Sequence, residues 1–505
     1  MSRLTNFFFE NAAKQPEKLA IWCDGKTATY GEFASMVCGI TNMLLQSGVK
    51  TGDRIGIPMN NSIESAALFF AAAEAGYALA PINPTLPAPA IETAFGSVGV
   101  SCIIARKSFY SHYKPQGEVC FCLDNAQVAG TIPFDSWKDY STQRPNIDVE
   151  EEATLILTLT SGSTGDPKPI ELSQKNKIDR AFAHVKLYGL TENDRILAAT
   201  PLYHSLAERL VIMPLLIGAT AILLPRFTPN IWLNCIAQQQ VSFTIAVSAQ
   251  LSQVSQLLSS PFMPDIQSLR CLVSSSSLLE PHVKRELIEK LHCQFHEMYG
   301  TSEVSTATNI NFTQVSHKTK TVGKCLEESQ IRIVDDAGKE LPVGEVGEIT
   351  VKSLLAFKGY YGMPEKTAAA YTADGFFHTG DLGKVDEDGY LYFCGRKKEL
   401  IITGGINVYP PDIEECLQKI PGVAECAAFA YPDERLGEIV AVAIVKAEGV
   451  ELTTKAVQFH CARNLADFQQ PHKIFFLAEL PRNAMGKLVK GKLYETVKKN
   501  AEIEA

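Results

Sequence analysis

The sequence predicts an α/β protein of more than one folding unit. It has a large N-terminal part made of α/β subdomains, a small β-barrel-like subdomain, and a small mobile α+β domain at the C-terminus. Three observations point to this layering. The chain has 505 residues, and at roughly 100–200 residues per domain that exceeds one hydrophobic core. The first three-quarters alternate amphipathic helical stretches with short β-branched runs, the pattern of βα units whose sheets are mostly parallel and covered on both faces. After about residue 320 the texture changes to short strands broken by Gly and Asp-Gly turns, which suit an antiparallel sheet or small barrel.

The elements follow in order. GEFASMVCGITNMLLQSGV has helical spacing and leads into the strand-like DRIGIPM; SAALFFAAAEAGY is an apolar helix followed by the strand ALAPINP. The longest uncharged apolar stretch, between Arg209 and Arg226, carries Pro214 and Gly218. A spanning helix needs about 20 apolar residues, so this stretch reads as a buried helix and strand. ATAILLP, SFTIAV and RCLVSS are further short strands with helical segments between them. GEVGEITV, FFHTGDLGKVDEDGYLYFCGR and KELIITGG are the strands of the altered region. Beyond them PPDIEECLQKI and LTTKAVQFHCARNL read as helices, and ECAAFAYPD and EIVAVAIVKA as strands. A boundary falls near residues 396–400, where a glycine-rich turn opens a fresh α/β unit.

Composition narrows the function. Apolar residues make up 46% and charged residues 20%, with 47 Lys plus Arg against 56 Asp plus Glu. That balance excludes a disordered chain, and it disfavours broad binding to nucleic acid or anionic membrane, which need a positive field. The N-terminus meets charge too soon for a secretory signal. The 13 cysteines are scattered without zinc spacing, as in a reduced cytoplasmic protein; Cys120 and Cys122 are same-face strand neighbours.

Five segments carry chemistry. In TLILTLTSGSTGDPKPIELS, a strand feeds Thr160, Ser161, Gly162, Ser163, Thr164 and Gly165, then Asp166, Pro167 and Lys168. Glycines admit an anion to the backbone, N–H groups and hydroxyls can ring phosphate oxygens, and Lys168 adds charge. A linker has similar composition, and Asp-Pro after Gly165 rules out a Walker loop. EMYGTSEVS follows the strand-like QFHEM with Tyr299, Gly300, Thr301, Ser302 and Glu303: a ring to stack on a base, hydroxyls for phosphate and a carboxylate for Mg²⁺. Its alternative is a helix entry capped by Thr301 or Ser302. Asp381 lies in a glycine turn, where it can accept ribose hydroxyls or its own turn backbone. GRKKELIITGG supplies Arg396, Lys397 and Lys398 before Gly404 and Gly405, and PRNAMGKLVK sets Lys487 after a glycine; both sets of charges equally suit a solvated surface.

In this order and spacing the five segments resemble the adenylate-forming superfamily of acyl-CoA synthetases, adenylation domains and luciferases, from ATYGEF near the start to PRNAMGK near the end. The resemblance implies an N-terminal domain over residues 1–397 that binds ATP and acyl group, and a mobile C-terminal domain over 398–505 that turns about Lys398. It implies that the loop from Thr160 to Lys168 closes on the β- and γ-phosphates. Tyr299, with Gly300 and Thr301, would hold adenine, Ser302 would touch the α-phosphate, and Glu303 with Thr164 would hold Mg²⁺. Asp381 and Arg396 would bind the ribose, Lys487 would bridge α-phosphate and substrate carboxylate, and Gly404 and Gly405 would flank the pantetheine tunnel. His204, in the aromatic-His element Pro201-Leu202-Tyr203-His204, joins the catalytic set.

The implied reaction activates a carboxylic acid as acyl-AMP with loss of pyrophosphate, then passes the acyl group to the thiol of coenzyme A. Two alternatives stand beside it: a stand-alone enzyme loading a carrier protein's phosphopantetheine, and a non-catalytic nucleotide- or acyl-binding regulator. The sequence departs from the family in Pro167-Lys168-Pro169, in Ser173-Gln174 and in Ser302 where Thr is commoner, yet it keeps each catalytic group. The acyl pocket is expected after His204, at Ala246–Gln250, at Ser274–Ser277 and at Met298–Thr301. YHSLAERL lacks the Asp that pairs with a substrate ammonium in amino-acid-activating relatives, and Glu208 reads as a helix-surface carboxylate beside Arg209. A fatty or aromatic acid is therefore expected.

Overall fold

The computed structural model describes residues 3–124, 127–160, 168–482 and 488–503. It divides into two compact units, Met1–Gln330 with Lys352–Phe377, and Ile331–Val351 with His378–Ala505.

The first unit holds two sheets. One runs, in order, through Gly323–Cys325, Ser305–Asn311, Gln294–Thr301, Cys271–Ser275, Phe243–Val247, Arg195–Ala198, Thr220–Leu223, Leu19–Cys23 and Lys26–Thr29. Its strands from Gln294–Thr301 to Leu19–Cys23 are parallel, with antiparallel pairs at both ends. The other is eight-stranded and runs from Gly359–Tyr360 through Lys168–Ser173, Thr154–Thr160, Ala78–Ile82, Arg54–Pro58, Cys102–Ala105 and Val119–Cys122 to Ile132–Pro133. Ala78–Ile82, Cys102–Ala105, Thr220–Leu223 and Phe243–Val247 are buried at every position, as parallel strands covered on both faces must be. The helix Ile63–Ala75 buries every residue except Glu64, starts on the Ser62 cap and stops at left-handed Gly76. Its all-round apolar surface fits a helix enclosed by other elements.

The stretch between Arg209 and Arg226 forms the end of the helix Ser205–Leu216, which contains Pro214, and the strand Thr220–Leu223. Among the described residues no helix is long and apolar enough to cross a membrane. All thirteen cysteines are free.

In the second unit Ser329–Val334, Gly347–Ser353, Phe377–Val385 and Tyr390–Arg396 lie side by side. A five-stranded sheet follows, in the order Ile406–Val408, Ile401–Thr403, Gly437–Lys446, Val423–Asp433, with Lys473–Leu477 also paired to Gly437–Lys446. Alternate residues of its central strand serve opposite faces. Val440, Val442 and Ile444 pack with the helices Pro410–Leu417 and Thr454–Asn464, while Ala441 and Ala443 pack with Leu493 and Val497 of the C-terminal helix.

One ion pair ties distant parts of the first unit. The Arg144 guanidinium donates to both oxygens of buried Glu74, at 2.6 and 2.9 Å, and to Thr5 and Asn6 of the N-terminal helix. Removing a cation from a buried pair strands the carboxylate. Arg144→Ala should therefore cost about 3 kcal/mol, measured as a lowered unfolding midpoint.

Candidate active site

Strands Thr154–Thr160 and Lys168–Ser173 pair antiparallel as the two arms of a hairpin, with Thr160 opposite Lys168. Ser161, Gly162, Ser163, Thr164 and Gly165 lie outside the described residues, as does Lys487, and of Thr160 only the backbone is described. Lys168 stands at the foot of the hairpin with its ammonium 5.6 Å from the centre of the Tyr360 ring. Ser173 caps the next helix, Gln174–Tyr188, in a capping box with Asn176, and Gln174 is buried and donates to the Ala73 carbonyl. The departure from the family pattern at Gln174 is thus met by a hydrogen bond to a carbonyl 101 residues away.

The YGTSE segment is not a helix entry. Tyr299 to Thr301 end the strand Gln294–Thr301, which returns as Ser305–Asn311 in an antiparallel hairpin with a bulge at Tyr299 and Gly300. Ser305 takes a positive φ of 66° to close the turn. Gly300 is required there, because a Cβ would fall 1.9 Å from the Ser305 carbonyl oxygen. Tyr299 is buried, while Thr301, Ser302 and Glu303 are partly exposed at the turn.

Two residues that sequence reasoning missed hold this turn. Arg180, buried on the helix after the phosphate hairpin, donates to the carbonyls of Leu355 (2.9 Å), Ser302 (3.0 Å) and Glu303 (3.0 Å). The Tyr360 hydroxyl donates to Glu303 Oε1 at 3.1 Å, and the Phe357 amide donates to the Glu303 carbonyl at 2.6 Å. Among the described residues nothing bonds the other Glu303 carboxylate oxygen.

In the second unit Asp381 and Arg396 face each other on paired strands, Nε to Oδ1 3.4 Å. Asp381 is buried and lies within the strand Phe377–Val385 rather than in a turn; left-handed Gly380 precedes it. Lys398 sits in the short 3₁₀ segment Lys397–Glu399. Gly404 and Gly405, both at positive φ (56° and 84°), form the tip of the hairpin between Ile401–Thr403 and Ile406–Val408, the backbone a two-residue turn demands.

The expected acyl-pocket segments come together. Ala246 pairs with Ser274, and Ser274 with Glu297, on adjacent parallel strands. Gln250 and Ser277 therefore follow the carboxyl ends of neighbouring strands and Tyr299 lies in the last residues of the next, at the edge where open α/β sheets bind ligands. The strand Arg195–Ala198 is parallel to these and leads into Pro201–His204. Buried Asn61 fixes that turn: its amide donates to the Thr200 and Leu224 carbonyls and its oxygen accepts from the Leu202 amide. His204 caps the helix Ser205–Leu216 with its ring 4.4 Å from that of Tyr203. Its Nε2 is buried without a partner among the described residues.

Glu208 corrects the sequence reading. It is buried, not on a helix surface, and pairs with buried Lys177 at 2.9 Å. Burial pushes the Lys177 ammonium down to about 8 against the pull of Glu208.

A hairpin with Lys168 at its foot, a clamped turn carrying Tyr299 and Glu303, and segments gathered at the carboxyl ends of parallel strands lie in a chain that two family models assign to the adenylate-forming ligases. The model described as "AMP-binding enzyme" matches residues 8–361 and that described as "AMP-binding enzyme C-terminal domain" matches 412–487. The chain belongs to this family and is an AMP-forming carboxylate–thiol ligase, an acyl-CoA synthetase. It is 30% identical to indoleacetate–CoA ligase of Aromatoleum aromaticum, covering 99% of each chain. It is 29% identical to feruloyl-CoA synthase of an Amycolatopsis species, covering 95% of this chain and 96% of that one. Among solved structures it is similar to ATP-bound MatB from Rhodopseudomonas palustris (29% identical, TM-score 0.87, 99% of this chain and 100% of that one). It is also similar to o-succinylbenzoate CoA synthetase from Bacillus subtilis in complex with its acyl-adenylate (27% identical, TM-score 0.85, 97% of each).

Arg180→Met would leave the Leu355 and Ser302 carbonyls without this donor and the Glu303 carbonyl with only the Phe357 amide, and should cost about 3 kcal/mol in unfolding free energy. It should also lower the rate of acyl-AMP formation, read by pyrophosphate exchange. Three imidazoles give a pH signature. Burial lowers His204 and His296 to about 4, and burial with the Arg209 and Arg180 charges holds His184 well below its usual value. Arg209 can only donate, so His184 Nε2, 3.1 Å away, accepts and the proton sits on Nδ1. The unfolded chain binds protons near pH 6.5, before the folded one does. Stability should thus be full above about pH 6.5 and fall as pH drops toward about 4. Melting temperatures taken from pH 7.5 to 4.5 check this, and His296→Asn should flatten the slope.

Proposed function

We propose that the chain activates a fatty or aromatic carboxylic acid with ATP and transfers it to coenzyme A. The observation that carries the adenylation site is the state of Glu303: one carboxylate oxygen is held by Tyr360 and the other has no hydrogen-bond partner among the described residues, on the same turn that fixes Tyr299. A partly exposed carboxylate with a free oxygen suits a hard, oxygen-seeking cation such as Mg²⁺. The turn also brings backbone close enough that only glycine fits at position 300, as a site for a stacked base and phosphate requires.

In this reading Glu303 and Thr164 hold the metal, and Thr160–Gly165 with Lys168 enclose the β- and γ-phosphates. Tyr299, Gly300 and Thr301 seat adenine, Asp381 and Arg396 hold the ribose hydroxyls, and Ser302 meets the α-phosphate. Lys487 brings a positive charge to the carboxylate and α-phosphate, two anions that would otherwise repel as the bond forms. When bound, Mg²⁺ neutralises charge on the departing pyrophosphate. The boundary is set at 397/398, with Lys398 as the hinge on which residues 398–505 exchange Lys487 for Gly404 and Gly405. That exchange is a gate of the kind that limits turnover. His204 closes the acyl pocket beside Tyr203. A cytoplasmic location agrees with thirteen free cysteines.

Glu208 supports the choice of acid. The one carboxylate in YHSLAERL is occupied by Lys177, so that segment offers no partner to a substrate ammonium. Relatives named for indoleacetate, ferulate and long-chain fatty acids agree with an acid of this class.

A pyrophosphate-exchange screen should give its strongest signals with aryl and fatty acids, followed by thioester formation with coenzyme A. Strong exchange with amino acids alone, or transfer only to a carrier protein, would replace this reading. Lys487→Ala should abolish acyl-AMP formation while thioester synthesis from supplied acyl-AMP largely survives; normal acyl-AMP production by this variant would remove the lysine from its role.

A further inference from the structure

Tyr360 touches two of the proposed ATP-site groups from opposite sides. Its backbone belongs to the two-residue strand Gly359–Tyr360, which pairs with the descending arm of the phosphate hairpin, Tyr360 opposite Ile170. That strand is pinned at both ends: Lys358 N donates to the Glu171 carbonyl and Tyr361 N to the Pro169 carbonyl. Lys358 also pairs its ammonium with Glu171 at 3.1 Å, and the Tyr360 amide donates to Thr367 Oγ1 at 2.9 Å. The ring is packed edge-on by Phe357 at 5.0 Å, whose amide binds the Glu303 carbonyl. From this fixed base the hydroxyl reaches the Glu303 carboxylate at 3.1 Å, and the ring lies 5.6 Å from the Lys168 ammonium.

We propose that Tyr360 is a positioning residue that couples the two halves of the phosphate site: its hydroxyl aims the Glu303 carboxylate at the metal, and its ring seats Lys168 at the foot of the phosphate loop. The proposal rests on the reading of Glu303 as the metal carboxylate. Two different contacts from one rigid side chain fix the distance between a cation and an anion that must act on the same polyphosphate. A tyrosine placed only for packing would need neither a hydroxyl on a carboxylate nor a cation against its face.

ATP is titrated calorimetrically into the full-length protein, in EDTA and at stepped MgCl₂, with no acid present. In the wild type Mg²⁺ tightens ATP binding. Tyr360→Phe keeps the ring and the fold, and should lose about tenfold of that Mg²⁺-dependent gain, the size of one hydrogen bond to a charged acceptor. Its affinity for ATP in EDTA should not change. Tyr360→Leu removes the ring as well, and should weaken ATP in EDTA by about two- to fivefold, the range of an exposed cation–π contact. A Tyr360→Phe protein with the full Mg²⁺ gain overturns the carboxylate half, and a Tyr360→Leu protein with normal affinity in EDTA overturns the lysine half. Glu303→Gln separates these failures from that of the underlying reading. If it retains the Mg²⁺ gain, Glu303 is not the metal carboxylate and the proposal falls with it; if it loses the gain while Tyr360→Phe does not, only the role of Tyr360 is wrong.

Discussion

A buried guanidinium bound to three backbone carbonyls fixes the turn that carries Ser302 and Glu303. Arg180 lies on the first helix after the phosphate hairpin and holds the carbonyls of Leu355, Ser302 and Glu303. A charge taken out of water costs several kcal/mol unless its donors are satisfied, and burial with the nearby Arg209 charge lowers the Arg180 guanidinium to about 9. Charge-assisted bonds to carbonyl oxygens offset that cost only while the turn keeps its shape. The turn and the helix are therefore mutually specified: the carbonyls stabilise the cation, and the cation forbids the turn from opening.

The helix that carries Arg180 presents an unusual buried face. Lys177, Arg180, His184 and Tyr188 are all buried along Gln174–Tyr188. Lys177 meets Glu208, and His184 accepts from Arg209. With His184 neutral, the three cations Lys177, Arg180 and Arg209 outnumber the two carboxylates Glu208 and Glu303 that act on Arg180. The remaining positive charge lies behind Ser302 and Glu303, and a field of that sign lowers the energy of a polyanion at the turn. The chain's net charge of −9 thus coexists with a local positive environment where a phosphorylated ligand would need one.

Much of this was legible in the sequence, and the part that was not has a physical reason. The alternation of amphipathic stretches with β-branched runs locates the helices Tyr30–Gln46 and Ile63–Ala75 and the strands Arg54–Pro58, Ala78–Ile82, Phe243–Val247 and Cys271–Ser275, because periodicity reports burial directly. The gathering of Ala246–Gln250, Ser274–Ser277 and Met298–Thr301 follows from parallel strands ending at one edge. Arg180, Asn61 and Tyr360 stayed hidden for another reason. Arg180 and Asn61 bind backbone carbonyls 123 and 139 residues away, and a backbone acceptor leaves no complementary residue to read. Glu208 looked like a surface carboxylate because its neighbour in sequence is Arg209, whereas its partner in space is Lys177. The YGTSE segment offered Thr-Ser-Glu, the letters of a helix cap, while the positive φ of Ser305 that makes it a hairpin has no sequence signature in a serine.

The division of labour in the first unit separates what must stay constant from what can vary. The phosphate hairpin, Arg180, Tyr360 and the Glu303 turn are bound to one another through backbone hydrogen bonds and one buried cation, so few of their side chains can change independently. The proposed acyl wall is built differently, from segments that include residues following strand ends, where loops vary without disturbing the sheet. Asn61 is the exception: it anchors the Pro201–His204 turn through three backbone groups, holding one wall of the pocket fixed. If the proposed acyl pocket lies there, substitutions at Gln250 or Ser277, which follow the strands Phe243–Val247 and Cys271–Ser275, would reshape the acid that is accepted while the turn held by Arg180 keeps its geometry, which is how one scaffold serves acids of different shape with the same first chemical step.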